Sequence, residues 1–117
     1  MRHAGGMARL ETSPERDELL RILDQLAKLL RTWEEDRWAE WIERDRRLID
    51  DGHPDALGHL LAAFGGMGSL RDVTIHPVNG HEIAEDRIRP VNDRLRTLRG
   101  AAFTKASHLR DEADPSL

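Results

Sequence analysis

The residues best equipped for chemistry gather in one stretch, "FGGMGSLRDVTIHPVNGH", residues 64–81. It holds Gly65, Gly66, Gly68, the Ser69 hydroxyl, Arg71, Asp72 and the imidazoles of His76 and His81. A glycine-rich backbone can turn several N–H groups toward an anion, and Arg71 would add a positive charge beside them. The pattern departs from phosphate-binding loops, however. It lacks a Gly-Lys-Ser/Thr ending and a G-x-G-x-x-G, and the glycines follow a helical pattern rather than a strand. The competing reading is a corner, with the glycines ending a helix in left-handed conformation. Ser69 can cap a short turn containing Arg71 and Asp72.

His76 and His81 flank the tetrapeptide Pro77-Val78-Asn79-Gly80. A tight turn there would bring the two rings together, as a transition metal or an acid–base step requires. No H-E-x-x-H or helical H-x-x-x-H supports a metal. The sequence therefore predicts no metal, no cofactor and no catalytic residue. An enzyme or small-molecule site using the loop with Asp72, His76 and His81 stands as the alternative to a binding module.

A second group lies upstream. "WAEWIERDRR" supplies Trp38, Trp41 and Arg44, and Met67 sits between two glycines. Trp and Arg are over-represented at the energetic centres of protein interfaces. Trp38, Trp41, Arg44 and Met67 are therefore the candidate protein-contact residues. Core filling by the tryptophans, and by Met67, is the competing explanation.

These groups need elements to position them. "SPERDELLRILDQLAKLLR" opens with a cap at Ser13 and Pro14 in the first turn, and its acids favour the positive end of the helix dipole. Leu19, Ile22, Leu23, Leu26, Leu29, Leu30 and Trp33 recur at helical spacing. Thr32 with Glu35 fits a capping box, which predicts a break near Arg31 or Thr32 and a second helix to about Ile49. Asp45 is the polar exception on that helix's apolar face. "PDALGHLLAAF" predicts a short third helix. Residues 70–83 then alternate around Asn79-Gly80, which predicts a short extended segment or hairpin with Val73–Ile75 opposite His81–Ile83. The last helix is expected to begin near Arg89, because Pro90 fits only a first turn. The fold class is thus mainly α: about four helices in a small bundle with a glycine-rich corner. Residues 1–12 read as a flexible leader, 13–110 as one helical domain and 111–117 as a flexible tail.

Composition bounds the function classes. The chain has 117 residues, no cysteine and a net charge of −4, so disulfides and thiol chemistry are out and a general nucleic-acid binder is disfavoured. No apolar run is long enough for a membrane span, and no signal-peptide core is seen, which predicts a cytoplasmic protein. Charge is uneven: residues 34–51 are acidic and residues 85–110 basic. That asymmetry predicts either two neighbouring helices with complementary fields or a face for a charged partner.

"WAEWIERD" followed by "FGGMGSLRDVTIHPVNGH" resembles a small, mostly bacterial family of uncharacterised domains with a Trp-containing helix and an F-G-G-M-G-S motif followed by an Asp. The resemblance spans roughly residues 19–100. Asp72 matches the Asp after the motif, whereas Arg71 stands where the family carries Asn. What the resemblance implies is a shared fold, with no activity to carry over. The expected function is a small non-enzymatic module that binds another protein, in the manner of an immunity- or inhibitor-like accessory protein. Self-association is compatible with it.

Overall fold

The computed structural model describes residues 9–113. Four helices dominate: α1 (Pro14–Thr32), α2 (Asp36–Asp50), α3 (Asp55–Ala62) and α4 (Glu85–Ala113). α1 packs against both α2 and α4, and α3 bridges α2 and α4. The molecule measures 58 × 27 × 19 Å. The length of α4, about 43 Å at 1.5 Å per residue, accounts for much of the long dimension.

α1 begins as its sequence predicts. The Ser13 side chain accepts from the Arg16 backbone N–H at 3.0 Å, with Pro14 in the first turn. Leu19, Leu23, Leu26 and Leu30 are fully buried, so one stripe of the helix faces the core. The expected capping box at Thr32 does not form. Thr32 Oγ1 instead donates back to the Lys28 carbonyl at 2.8 Å, and α1 runs through Thr32. Glu34 then adopts the left-handed conformation, φ 62°, which reverses the chain. Glu35 precedes α2 without a side-chain capping bond.

The far end of α2 is closed from α1. The buried guanidinium of Arg16 donates to the carbonyls of Ile49 and Asp50 at 3.2 and 3.3 Å. These carbonyls belong to the last turn, which lacks helical partners and carries partial negative charge. Two further arginine pairs tie the helices together. Arg31 grips Glu43 through two bonds of 3.1 and 2.9 Å, and Arg46 pairs with Asp24 at 2.9 Å. The acids of α2 are thus met partly by α1 and partly by α2 itself. The expected complementarity between the acidic helix and the basic last helix is not how the charge is balanced.

α4 begins at Glu85, four residues before the expected start, and Pro90 lies inside it. The missing Pro90 N–H leaves the Asp86 carbonyl without its usual helical donor. Favourable packing of Val91, Leu95, Leu98, Ala102 and Ala106, all buried, outweighs that loss. At its other end the helix continues past residue 110 to Ala113. Residues 9–12, expected within the leader, lie against the fold: the Leu10 N–H donates to the Gly52 carbonyl at 2.9 Å, and Leu10 packs on the core. The remainder of the expected leader and tail lies outside the described residues.

Between α3 and α4 no strand forms among the described residues. Val73 and His76 are extended, as the alternation suggests, but the expected pairing of residues 73–75 with 81–83 is absent. Two short 3-10 turns, Leu70–Asp72 and Pro77–Asn79, break the segment, and Gly80 closes the second at φ 92°. The ladder is replaced by one side chain. Asn92 of α4 accepts from the Ile75 N–H at 2.9 Å and donates to the Ile75 carbonyl at 2.8 Å. A buried backbone pair is thereby satisfied without a neighbouring strand. Substitution Asn92→Ala should cost about 1–3 kcal/mol and should accelerate hydrogen exchange at the Ile75 amide more than at α1 amides. Urea denaturation with amide exchange by NMR checks both.

Candidate functional site

The glycine corner is built as a closed turn. Phe64 is buried at the end of the third helical segment and anchors the entry. Gly66 and Gly68 have φ of 80° and 72°, which strongly favours glycine at both positions. The Leu70 N–H donates to the Ala63 carbonyl at 2.9 Å, closing the corner. Ser69 is buried, and its hydroxyl accepts from the Arg71 N–H at 3.3 Å. The Gly68 N–H, one of the donors an anion would use, already donates to the Asp72 carboxylate at 2.7 Å. The loop therefore holds its own anion. Met67 is 99% exposed at the tip, so it does not plug the core.

The carbonyls of this corner meet α4. Arg99 Nη1 donates to the carbonyls of Leu70, Arg71 and Val73 at 2.9, 3.1 and 3.0 Å. Beside these bonds lies a groove of about 370 Å³ lined by Phe64, Arg71, Arg96, Arg99, Gly100 and Phe103. The two phenylalanines meet edge to face with centroids 5.5 Å apart, and Phe103 remains 43% exposed. Burial, and then the neighbouring charges of Arg96 and Arg71, push the Arg99 pKa down, with Asp72 opposing them. Arg96 pairs with Asp93 at 3.0 Å. Among the described residues Arg71 and Arg99 form no ion pair. An apolar floor with surplus cationic charge suits a group that is both anionic and apolar.

His76 and His81 do come together, but mainly through the backbone. The His76 N–H donates to His81 Nδ1 at 3.0 Å, so His81 Nε2 carries the proton and donates to Glu35 at 2.7 Å. The His81 side chain is only 6% exposed. His76 Nδ1 accepts from the Val78 N–H at 3.0 Å, capping the second turn. Both His81 nitrogens and one of His76 thus support the chain, and neither histidine lines the arginine groove. Among the described residues no cluster of three or more His, Asp or Glu is arranged to hold a metal.

The tryptophan helix divides differently from the expected contact surface. Trp38 is buried at 8% exposure, which removes it from any surface. Trp41 is half-buried and packs 5.5 Å from Trp38. Its other side stacks on His59 at 4.6 Å, and Trp41 Nε1 donates to the His59 carbonyl at 3.2 Å. Behind His59 sits Asp45, fully buried, with both carboxylate oxygens 2.7 and 2.8 Å from His59 Nδ1. Exposed Arg44 shares a shallow depression of about 300 Å³ with Arg37, Glu40, Trp41 and His59. The pairing of Asp45 with His59 is not predicted from sequence. Its one signal there is a carboxylate on an apolar helix face.

Burial raises the Asp45 pKa above the ordinary carboxylate range, although His59 and Arg44 pull the other way. A carboxyl whose folded pKa is raised binds more protons in the folded than in the unfolded state. Its effect on stability is most favourable below the unfolded pKa of about 3.9 and declines as pH rises through the folded value. Asp45→Asn should therefore flatten the fall in stability across that window. Urea midpoints measured from acid to neutral pH check this, and an unchanged slope would contradict it.

Residues 31–84 match the model of a family described as a domain of unknown function (DUF6966). The stretch contains α2, α3, the glycine corner and both turns, and leaves most of α1 and all of α4 outside. It is narrower than the span of roughly residues 19–100 predicted from the resemblance. Comparison with curated proteins and with solved structures gives no significant match. Over its tryptophan helix and glycine corner, the chain is thus similar to a domain family of unknown function.

Proposed function

We propose that this protein is a non-enzymatic binding module that takes an acidic, apolar-anchored segment of a partner protein in the groove between the glycine corner and α4. The observation that carries this reading is the set Arg71, Arg96 and Arg99 around the Phe64–Phe103 floor. Arginine forks suit carboxylates, and exposed Phe103 offers an apolar contact. Met67, fully exposed on a loop fixed by the Asp72 bond, would extend that contact at low ordering cost. The binding surface differs from the one expected from sequence: Met67 remains, Trp38 leaves, and α4 supplies the charge. An accessory or regulatory role in the cytoplasm fits this reading, as does a protein partner rather than nucleic acid. No helix among the described residues is long and apolar enough to cross a membrane.

The alternative, a small-molecule or metal site using the glycine loop with Asp72, His76 and His81, is less well supported. Asp72 is engaged with Gly68, and His81 has both ring nitrogens bonded. Selection from a random peptide library tests the proposal. Enriched peptides should combine Asp or Glu with a large apolar residue. Arg71→Glu and Arg96→Glu should each weaken them by about tenfold or more, while Met67→Ser should weaken them by severalfold. Enriched peptides without acidic residues, or binding unchanged by both charge reversals, would contradict it.

A further inference from the structure

Asp45 presents a cost that helix packing alone does not explain. It occupies a core position of α2, is fully buried, and directs both oxygens at one nitrogen of His59. An apolar residue there would avoid the desolvation of a carboxylate. The arrangement does have a chemical consequence. A carboxylate accepting from Nδ1–H fixes the imidazole tautomer, so the lone pair lies on Nε2. Among the described residues no protein group bonds Nε2, and the side chain is 41% exposed. The Trp41 ring stacked on the imidazole, and its bond to the His59 carbonyl, hold the ring in place.

The surroundings of the ring select the electrophile. Arg37 and Arg44 line the same depression, and among the described residues neither forms an ion pair. Glu40 is the one carboxylate lining it. Two guanidinium groups beside a nucleophilic nitrogen match a phosphoryl group better than a neutral carbonyl. We infer that His59 is a phosphoryl-acceptor site, with Nε2 the nucleophile, Asp45 the positioning residue, and Arg37 and Arg44 the partners of the phosphoryl oxygens.

An N-phosphoryl compound is a donor with which the step balances. The Nε2 lone pair forms the new N–P bond. The donor's N–P bond breaks, and its nitrogen, already protonated in the zwitterionic donor, departs as the neutral amine with that electron pair. The ring becomes cationic, and its Nδ1–H remains directed at the Asp45 carboxylate, which balances the charge. No oxidant, reductant or further proton carrier is needed. This site is separate from the arginine groove and does not depend on it.

Potassium phosphoramidate is the probe. The folded full chain is treated at neutral pH, and peptides are mapped by mass spectrometry under conditions that preserve acid-labile phosphate. His59 should be labelled about tenfold or more faster than exposed His53 and His108. Exposed Arg44→Ala should slow His59 labelling severalfold without altering the other two sites. Asp45→Asn should bring His59 down to their rate. It should also remove the slowly exchanging Nδ1–H proton resonance of His59, with the helical circular dichroism retained. Wild-type labelling of His59 no faster than His53 and His108 would overturn the inference, and that comparison requires no variant to fold. Undiminished labelling in Arg44→Ala would also overturn it.

Discussion

The arrangement between α3 and α4 depends on a backbone that has no sheet to complete it. Residues 70–76 run partly extended, and extended backbone exposes N–H and C=O groups that must find partners when buried. α4 supplies them with side chains. Arg99 collects three carbonyls, and Asn92 takes both groups of Ile75. The two grips lie about two helical turns apart, ~10 Å, so they hold the segment at two points. The glycine corner is placed by the first grip, and the His76 turn follows from the second. The groove exists because Arg99 must reach across to the corner, which leaves Arg71 and Arg96 beside it.

Much of the fold is legible because it follows apolar periodicity. The α1 leucines and the Ser13 cap follow from spacing and capping chemistry, and the ends of α2 and α3 follow from the Gly and Pro stops after them. The misjudged places are those where a distant side chain decides a local question. Thr32 and Glu35 have the right spacing for a capping box, but Glu35 bonds His81, far away in sequence. Asn79-Gly80 does turn the chain, and Gly80 is left-handed as such a turn requires. Yet Asn92 removes the need for a strand partner, so the hairpin pairing never forms. Pro90 marks a helix start only if nothing else stabilises the preceding turn.

The candidate sites show the same division. The glycines are recognisable, and the preference for a corner over a phosphate cradle follows from the helix before them. That Asp72 would occupy the loop's N–H requires its position in space. Met67 and Trp38 illustrate the limit sharply. Both are large apolar residues near polar neighbours, yet one is fully exposed and the other is core. Arg16 and Asp45 lie at apolar helix positions, and each has a purpose found only in three dimensions: Arg16 closes α2, and Asp45 orients His59. Asp45 interrupts the apolar stripe of α2 and so leaves a signal in the sequence, whereas Arg16 precedes the stripe of α1 and leaves none.

The Gly68 amide of the glycine corner is occupied by Asp72, and on the proposed reading anions are received by the neighbouring arginines. Titration of the isotopically labelled protein with a short acidic peptide, followed by NMR, tests it most directly. The side-chain Nε–H resonances of Arg71, Arg96 and Arg99 should move saturably together, while the Gly68 amide, held by Asp72, stays in place. Saturable shifts of the Gly66, Gly68 and Ser69 amides, with the arginine resonances unmoved, would contradict the account.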